Sequence, residues 1–124
     1  IVSGNSTQTA LGTSILSGEN SYAGTTTVSS GILNVRHGSA LGTVVGITTI
    51  TAGATLQIQN DITTLAEPLT VRGTGFAGSA GRNYQTGALV NISGTNNYAG
   101  LLTLGAAATV LMLLASLSCQ EKDL

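Results

Sequence analysis

Charge is nearly missing from this chain of 124 residues. Four Lys plus Arg face five Asp plus Glu, together 7% of the sequence, where an ordinary globular domain carries roughly 25%. Four scattered cations and a net charge of −1 exclude an electrostatic nucleic-acid surface. Aromatics are as scarce: Tyr22, Phe76, Tyr84 and Tyr98 are the full set, too few for a base-stacking platform. Cys119 is the single cysteine, which excludes an intrachain disulfide and a cysteine-built zinc site. Such a body fits a reducing compartment, or a secreted chain that stays unfolded while crossing a membrane. No basic stretch precedes an apolar run near Ile1, so no signal peptide is readable; in a mature or excised segment that carries little weight.

Small residues take the place of charge. The sequence holds 17 Gly, 19 Thr, 12 Ser and eight Asn, so hydroxyls and amides keep its surface wet. Its 42% apolar content argues against disorder, which goes with high charge and few aliphatics. The length suits one small domain or a slice of a longer one, and the slice is favoured.

The sequence repeats itself. Ser17-Gly18-Glu19-Asn20-Ser21-Tyr22-Ala23-Gly24 recurs as Ser93-Gly94-Thr95-Asn96-Asn97-Tyr98-Ala99-Gly100, identical at six of eight positions. Thr26-Thr27-Val28-Ser29-Ser30-Gly31 is echoed 22 residues later by Thr48-Thr49-Ile50-Thr51-Ala52-Gly53. A shorter match, Ala10-Leu11-Gly12-Thr13 with Ala40-Leu41-Gly42-Thr43, weighs less in so simple a composition.

Between glycine-marked turns lie short runs of β-branched residues and leucine. They predict strands over 13–16, 25–28, 32–35, 44–50, 55–59, 68–72, 88–92 and 101–104. Alternation in Leu56-Gln57-Ile58-Gln59 and Leu69-Thr70-Val71-Arg72 puts apolar groups on one face. Nothing before residue 105 has a helical apolar period. Short strands with frequent turns fit a sandwich or a solenoid, and the 22-residue echo, one coil long, favours the solenoid. The expectation is all-β: a right-handed parallel β-helix of about five to six coils. Stacking sets like over like, so Thr, Ser and Asn form hydrogen-bonded ladders where stacked charges would repel.

Residues 12–35, Gly12-Thr13-Ser14-Ile15-Leu16-Ser17-Gly18-Glu19-Asn20-Ser21-Tyr22-Ala23-Gly24-Thr25-Thr26-Thr27-Val28-Ser29-Ser30-Gly31-Ile32-Leu33-Asn34-Val35, resemble the autotransporter-associated β-strand repeat. Gly38-Ser39-Ala40-Leu41-Gly42 resembles its continuation, a weaker second copy covers 89–110, and Ala66-Glu67-Pro68-Leu69-Thr70-Val71 resembles a connecting coil. The second copy departs from the pattern, with Leu102-Thr103-Leu104-Gly105-Ala106-Ala107 in place of Thr-Thr-Val-x-x-Gly. The resemblance implies a passenger segment of a bacterial type V secretion protein, extracellular or on the cell surface, adhesin-like and concerned with folding and transport. It implies partners in neighbouring coils of a longer parent chain and an outer-membrane barrel elsewhere in that parent. Whether such a surface meets a glycan, a host or a biofilm is not legible.

Candidate chemistry is thin. Gly73-Thr74-Gly75-Phe76-Ala77-Gly78 spells the dinucleotide-binding G-x-G-x-x-G, but Ser79-Ala80-Gly81-Arg82-Asn83-Tyr84 makes a poor helix and no acid lies between Glu67 and Glu121. A loop between coils is the better reading, and no cofactor is expected. His37, the sole histidine, reads as a solvated turn residue. No catalytic or metal-binding residue is assigned; β-helix glycosidases and lyases use clustered carboxylates or calcium-held bases, and nothing singles out Asp61 with Glu67. The alternatives are a carbohydrate-binding or carbohydrate-cleaving β-helix, decided by whether Asp61 or Glu67 shares a groove with a second carboxylate or Arg72, and an ice- or surface-binding Thr face. The latter needs Thr-x-Thr on every coil, and the sequence offers it in two or three. Tyr22 and Tyr98 read as packing residues ahead of glycan contacts. The repeat residues Ser17, Gly18, Asn20, Tyr22, Gly24, Ser93, Gly94, Asn96, Tyr98 and Gly100 are therefore structural.

From Leu101 to Ser118 no charge occurs, a length close to a membrane span, but the first ten residues belong to the second repeat copy. The division drawn is a β-helix segment over 1–110 and an apolar tail over 111–124, ending as a short helix or a ragged end.

Overall fold

The computed structural model describes residues 6–8, 12–76, 87–105, 108, 110–112 and 116–122. Among these the chain is all-β with no helix. Its strands are β1 (Ser6–Gln8), β2 (Thr13–Leu16), β3 (Thr26–Val28), β4 (Gly31–Val35), β5 (Thr48–Ile50), β6 (Ala54–Ile58), β7 (Leu69–Val71), β8 (Leu89–Asn91), β9 (Thr95–Leu104), β10 (Val110–Met112) and β11 (Ser116–Lys122). Odd and even strands separate into two sheets, ordered β1-β3-β5-β7-β9-β11 and β10-β8-β6-β4-β2. Every pairing is parallel. The chain crosses from one sheet to the other and returns one strand further along, the connectivity of a β-helix-like solenoid.

The 22-residue echo is the coil repeat itself. Thr26, Thr27 and Val28 pair with Thr48, Thr49 and Ile50, and the turns beyond those strands place Gly31 at φ 73° and Gly53 at φ 91°. Only glycine enters that left-handed region without a Cβ clash. Two residues join β3 to β4 and three join β5 to β6, but residues 72–88 join β7 to β8. That excursion lengthens the register step from 21 residues (Thr48 to Leu69) to 33 (Leu69 to Leu102). It is pinched at its base. A Cβ on Gly75 would stand 2.3 Å from the Gly87 carbonyl oxygen. Thr55 bridges the two ends, its hydroxyl donating to Gly87 O (2.8 Å) and accepting from the Phe76 N–H (2.8 Å).

The core lies between the sheets and is built of like-over-like files. Leu33, Leu56 and Leu89 are in register in one sheet; Val28, Ile50, Val71 and Leu104 are in register in the other. All but the partly buried Leu104 are shielded from solvent. β-Branched and leucine side chains fill a pleated surface well, and parallel sheets need such cover.

Three expectations change. Residues 44–47 are not strand: pairing starts at Thr48, and Val44 and Val45 stand 50% and 76% exposed at the coil's corner. The Ala-Leu-Gly-Thr match does not mark equivalent places, since Thr13 opens β2 whereas Thr43 lies between the sheets, its N–H on Tyr22 O (2.9 Å); Ala10 and Leu11 fall outside the described residues. The expected helical or ragged tail is corrected to strands among its described residues: β10 pairs with β8 and β11 with β9, while residues 113–115 and 123–124 lie outside them. The edges of β8 and β9 offer unpaired N–H and C=O groups, while a short apolar stretch is too brief to nucleate a helix. No described helix is long and apolar enough to cross a membrane.

Candidate functional site

The first copy of the eight-residue unit lies between β2 and β3 and carries the chain from the even-strand sheet to the odd one; the second follows β8, and from Thr95 on it already belongs to β9. Asn20, Tyr22, Asn96 and Tyr98 are buried, while Ser17, Gly18 and Ser93 are exposed and Gly94 half-buried. Each Asn serves backbone at the crossing. The Asn20 amide donates to Ala40 O (2.8 Å). Asn96 donates to Ser93 O (2.8 Å) and to the Asn91 side chain, and accepts from the Ile62 N–H (2.8 Å). At a corner between sheets main-chain groups need side-chain partners, and a short amide supplies donor and acceptor together.

The last residue of the unit opens a file of its own. Gly24, Gly46, Glu67 and Gly100 each stand two residues before the in-register Thr26, Thr48, Leu69 and Leu102. The coils touch there through bare backbone: a Cβ on Gly46 would meet Gly24 O at 2.2 Å, and one on Gly100 would meet Glu67 O at 1.9 Å. Glu67 is the exception in the file. Its side chain is 2% exposed, and its Oε1 accepts from the Thr48 hydroxyl (2.7 Å). Tyr22 bonds the Thr26 hydroxyl, Thr26 being the register partner of Thr48. Burial pushes Glu67 from 4.5 up to about 7, against the pull of the Thr48 hydrogen bond. Burial, then Glu67 and Tyr22, raise the Tyr98 phenol, and the Tyr98 hydroxyl is buried without a hydrogen-bond partner. Tyr22, Thr26, Thr48, Glu67 and Tyr98 thus form a polar seam inside an apolar stack.

An orphaned buried hydroxyl costs about 1–3 kcal/mol. Tyr98→Phe should therefore hold or raise stability, by up to about 1 kcal/mol, measured as the urea midpoint. A loss above that size would show that the hydroxyl is bonded after all.

Outside, the odd-strand sheet carries an unbroken threonine file. Thr7, Thr27, Thr49, Thr70 and Thr103 are successive register partners; the last four are half-buried, between buried neighbours on either side in β3, β5 and β7. Two residues earlier the neighbouring file reads Thr25, Ile47, Pro68 and Leu101, all exposed. The Thr-x-Thr pattern therefore does not repeat in every coil. On the other sheet, Asn34 donates to Gln57 Oε1 and Gln59 Oε1 (both 2.9 Å) and accepts from Arg36 Nε (2.8 Å). That amide cluster is invisible in sequence until Asn34 and Gln57 are known to pair.

The remaining candidates lie apart. Asp61 is exposed and accepts from the Thr95 N–H (2.7 Å) at the start of β9, whereas Glu67 faces the interior, so the two carboxylates share no open groove. Arg72 lies against Gly105. His37 is exposed in a turn, its Nδ1 accepting from the Ser39 N–H (3.0 Å). Gly73 and Gly75, at φ 79° and 98°, belong to the excursion after β7 with no helix among its described residues; Gly78 and Tyr84 lie outside them. Among the described residues no three His, Cys, Asp or Glu side chains gather where they could hold a metal. No family model, curated protein or solved structure matches the chain.

Proposed function

We propose that this chain is a non-catalytic structural segment of a secreted or surface-exposed, autotransporter-like passenger, acting as stalk and as folding and transport scaffold. The observation that supports the reading is the equivalence of the two eight-residue units. Asn20 and Asn96, Tyr22 and Tyr98, and Gly24 and Gly100 stand at matching places, after an even strand and ahead of the in-register Thr26 and Leu102, so the motif that carries the family resemblance also seats coil on coil. Its partners are further coils, since a parallel strand edge presents the N–H and C=O groups that another coil would pair. Among the described residues, the one interior carboxylate lies beyond a substrate's reach.

The test is display. Joined ahead of an outer-membrane barrel domain, the chain should reach the outside of intact cells, where an added antibody reads a tag on it. Retention in the periplasm, with the barrel inserted, overturns the reading. A second reading rests on the threonine file: a surface-binding face formed by Thr27, Thr49, Thr70 and Thr103 beside Ile47, Pro68 and Leu101. If that face binds ice, Thr49→Tyr should abolish the inhibition of ice recrystallisation shown by the unaltered chain. An unaltered chain that inhibits nothing removes this version.

A further inference from the structure

We propose that Glu67 is a proton-operated latch in the coil stack: neutral, it completes the buried seam between β5 and β9, and ionised, it loosens the coils on either side. The inference stands on coil geometry and is independent of any secretion route.

The position is built for something other than a charge. In the other three coils that Gly24, Gly46 and Gly100 mark, no side chain occupies this file. Glu67 fills it with a carboxyl group, and the next coil closes over it: the Gly100 backbone sits directly on the Glu67 peptide. Only one hydrogen bond to the carboxyl is evident, from Thr48 on β5. Among the described residues the titratable group that interacts with it is the Tyr98 phenol of β9, which Tyr22 faces in turn, and neither phenol brings a positive charge. The cations whose side chains are described are engaged elsewhere, Arg36 on Asn34 and Arg72 beside Gly105, and the His37 ring lies in its exposed turn, bonded by the Ser39 N–H. A buried carboxylate with no cation near it is costly. The neutral acid carries no such charge, and its Oε1 keeps the hydrogen bond from the Thr48 hydroxyl.

The sign follows from linkage. The folded chain holds the Glu67 proton up to about pH 7, whereas an ordinary glutamate releases it near 4.5. Stability is then full below about 4.5, falls as the pH rises through 7, and levels off above. Between pH 5 and pH 9 the folding equilibrium constant should drop by roughly two orders of magnitude.

The experiment is guanidinium unfolding of the full chain, followed by circular dichroism at pH 5 and pH 9, for the unaltered protein and for Glu67→Gln. The amide keeps shape and the Thr48 contact but cannot ionise. The unaltered chain should lose roughly 75-fold in its folding constant, and Glu67→Gln less than about tenfold. A loss under about tenfold in the unaltered chain, or the same loss in Glu67→Gln, overturns the proposal. Should the variant not fold, a carbon NMR titration of the side-chain carboxyls in the unaltered chain decides. One glutamate with its midpoint near 7 supports the latch; all of them near 4.5 sinks it.

Discussion

Gly100→Ala should cost about 3 kcal/mol or more, while Gly18→Ala, in the other copy of the same eight-residue unit, should be neutral or gain about 0.4–1 kcal/mol. The difference lies in what a single methyl group would meet. On Gly100 it would lie 1.9 Å from the Glu67 carbonyl oxygen, 2.5 Å from its carbon and 2.9 Å from its nitrogen. All three are backbone atoms of the neighbouring coil, so no side chain can swing aside. Relief requires β7 and β9 to part, at the expense of the ladder that joins Leu69–Val71 to Leu102–Leu104. Against a total stability of about 5–15 kcal/mol, that is enough to open the coil containing β9. Gly18 has nothing within 4 Å of its virtual Cβ, and its φ is not among the positive ones. Alanine there only restricts the unfolded chain. Urea midpoints of the two variants test the pair, and equal effects would mean that the coils are not seated backbone on backbone at this file.

Much of this fold is legible in the sequence, and the reason is local. β-Branched runs closed by Gly31 and Gly53 state both strand and turn, and the Thr26–Thr48 echo states the register because a stacked coil must repeat its own spacing. The threonine file is half legible. Thr27 and Thr49 are one coil apart in sequence, but Thr103 stands 33 residues from Thr70, because the excursion after β7 is inserted into that step. Other features depend on partners that sequence does not name. Asn96 and Asn97 are poor strand formers, yet they lie in β9 because β11 pairs alongside. Val44 and Val45 are good strand formers, yet they turn a corner. Glu67 is the sharpest case. A lone acid in a Gly/Thr-rich chain reads as solvated, and only the file of Gly24, Gly46 and Gly100 shows that its place lies inside. Low charge suits stacked coils, and among the described residues Glu67 is the acid that the stack encloses.

Asn96→Ala should be the most damaging polar truncation in the chain, at about 3–4 kcal/mol. Its side chain is 1% exposed and joins three elements: it accepts from Ile62 N–H in the neighbouring coil, donates to Ser93 O in its own turn, and donates to Asn91 on β8. Alanine would leave the buried Ile62 N–H without its acceptor and take a donor from the Ser93 and Asn91 oxygens, and an unmet buried group costs about 1–3 kcal/mol. Asn96→Asp separates geometry from hydrogen-bond polarity. It keeps the shape and the acceptor for Ile62, but it loses both donors and sets a carboxylate against the Ser93 and Asn91 oxygens. At neutral pH it should therefore be at least as harmful as alanine, and acidification should recover part of the loss by restoring one O–H donor. Urea midpoints of both variants at pH 7 and pH 4 supply the measurement. An aspartate better tolerated than alanine at pH 7 would mean that the acceptor role toward Ile62 alone holds the crossing, and that the repeated Asn of the unit is there to shape the next coil rather than to close its own turn.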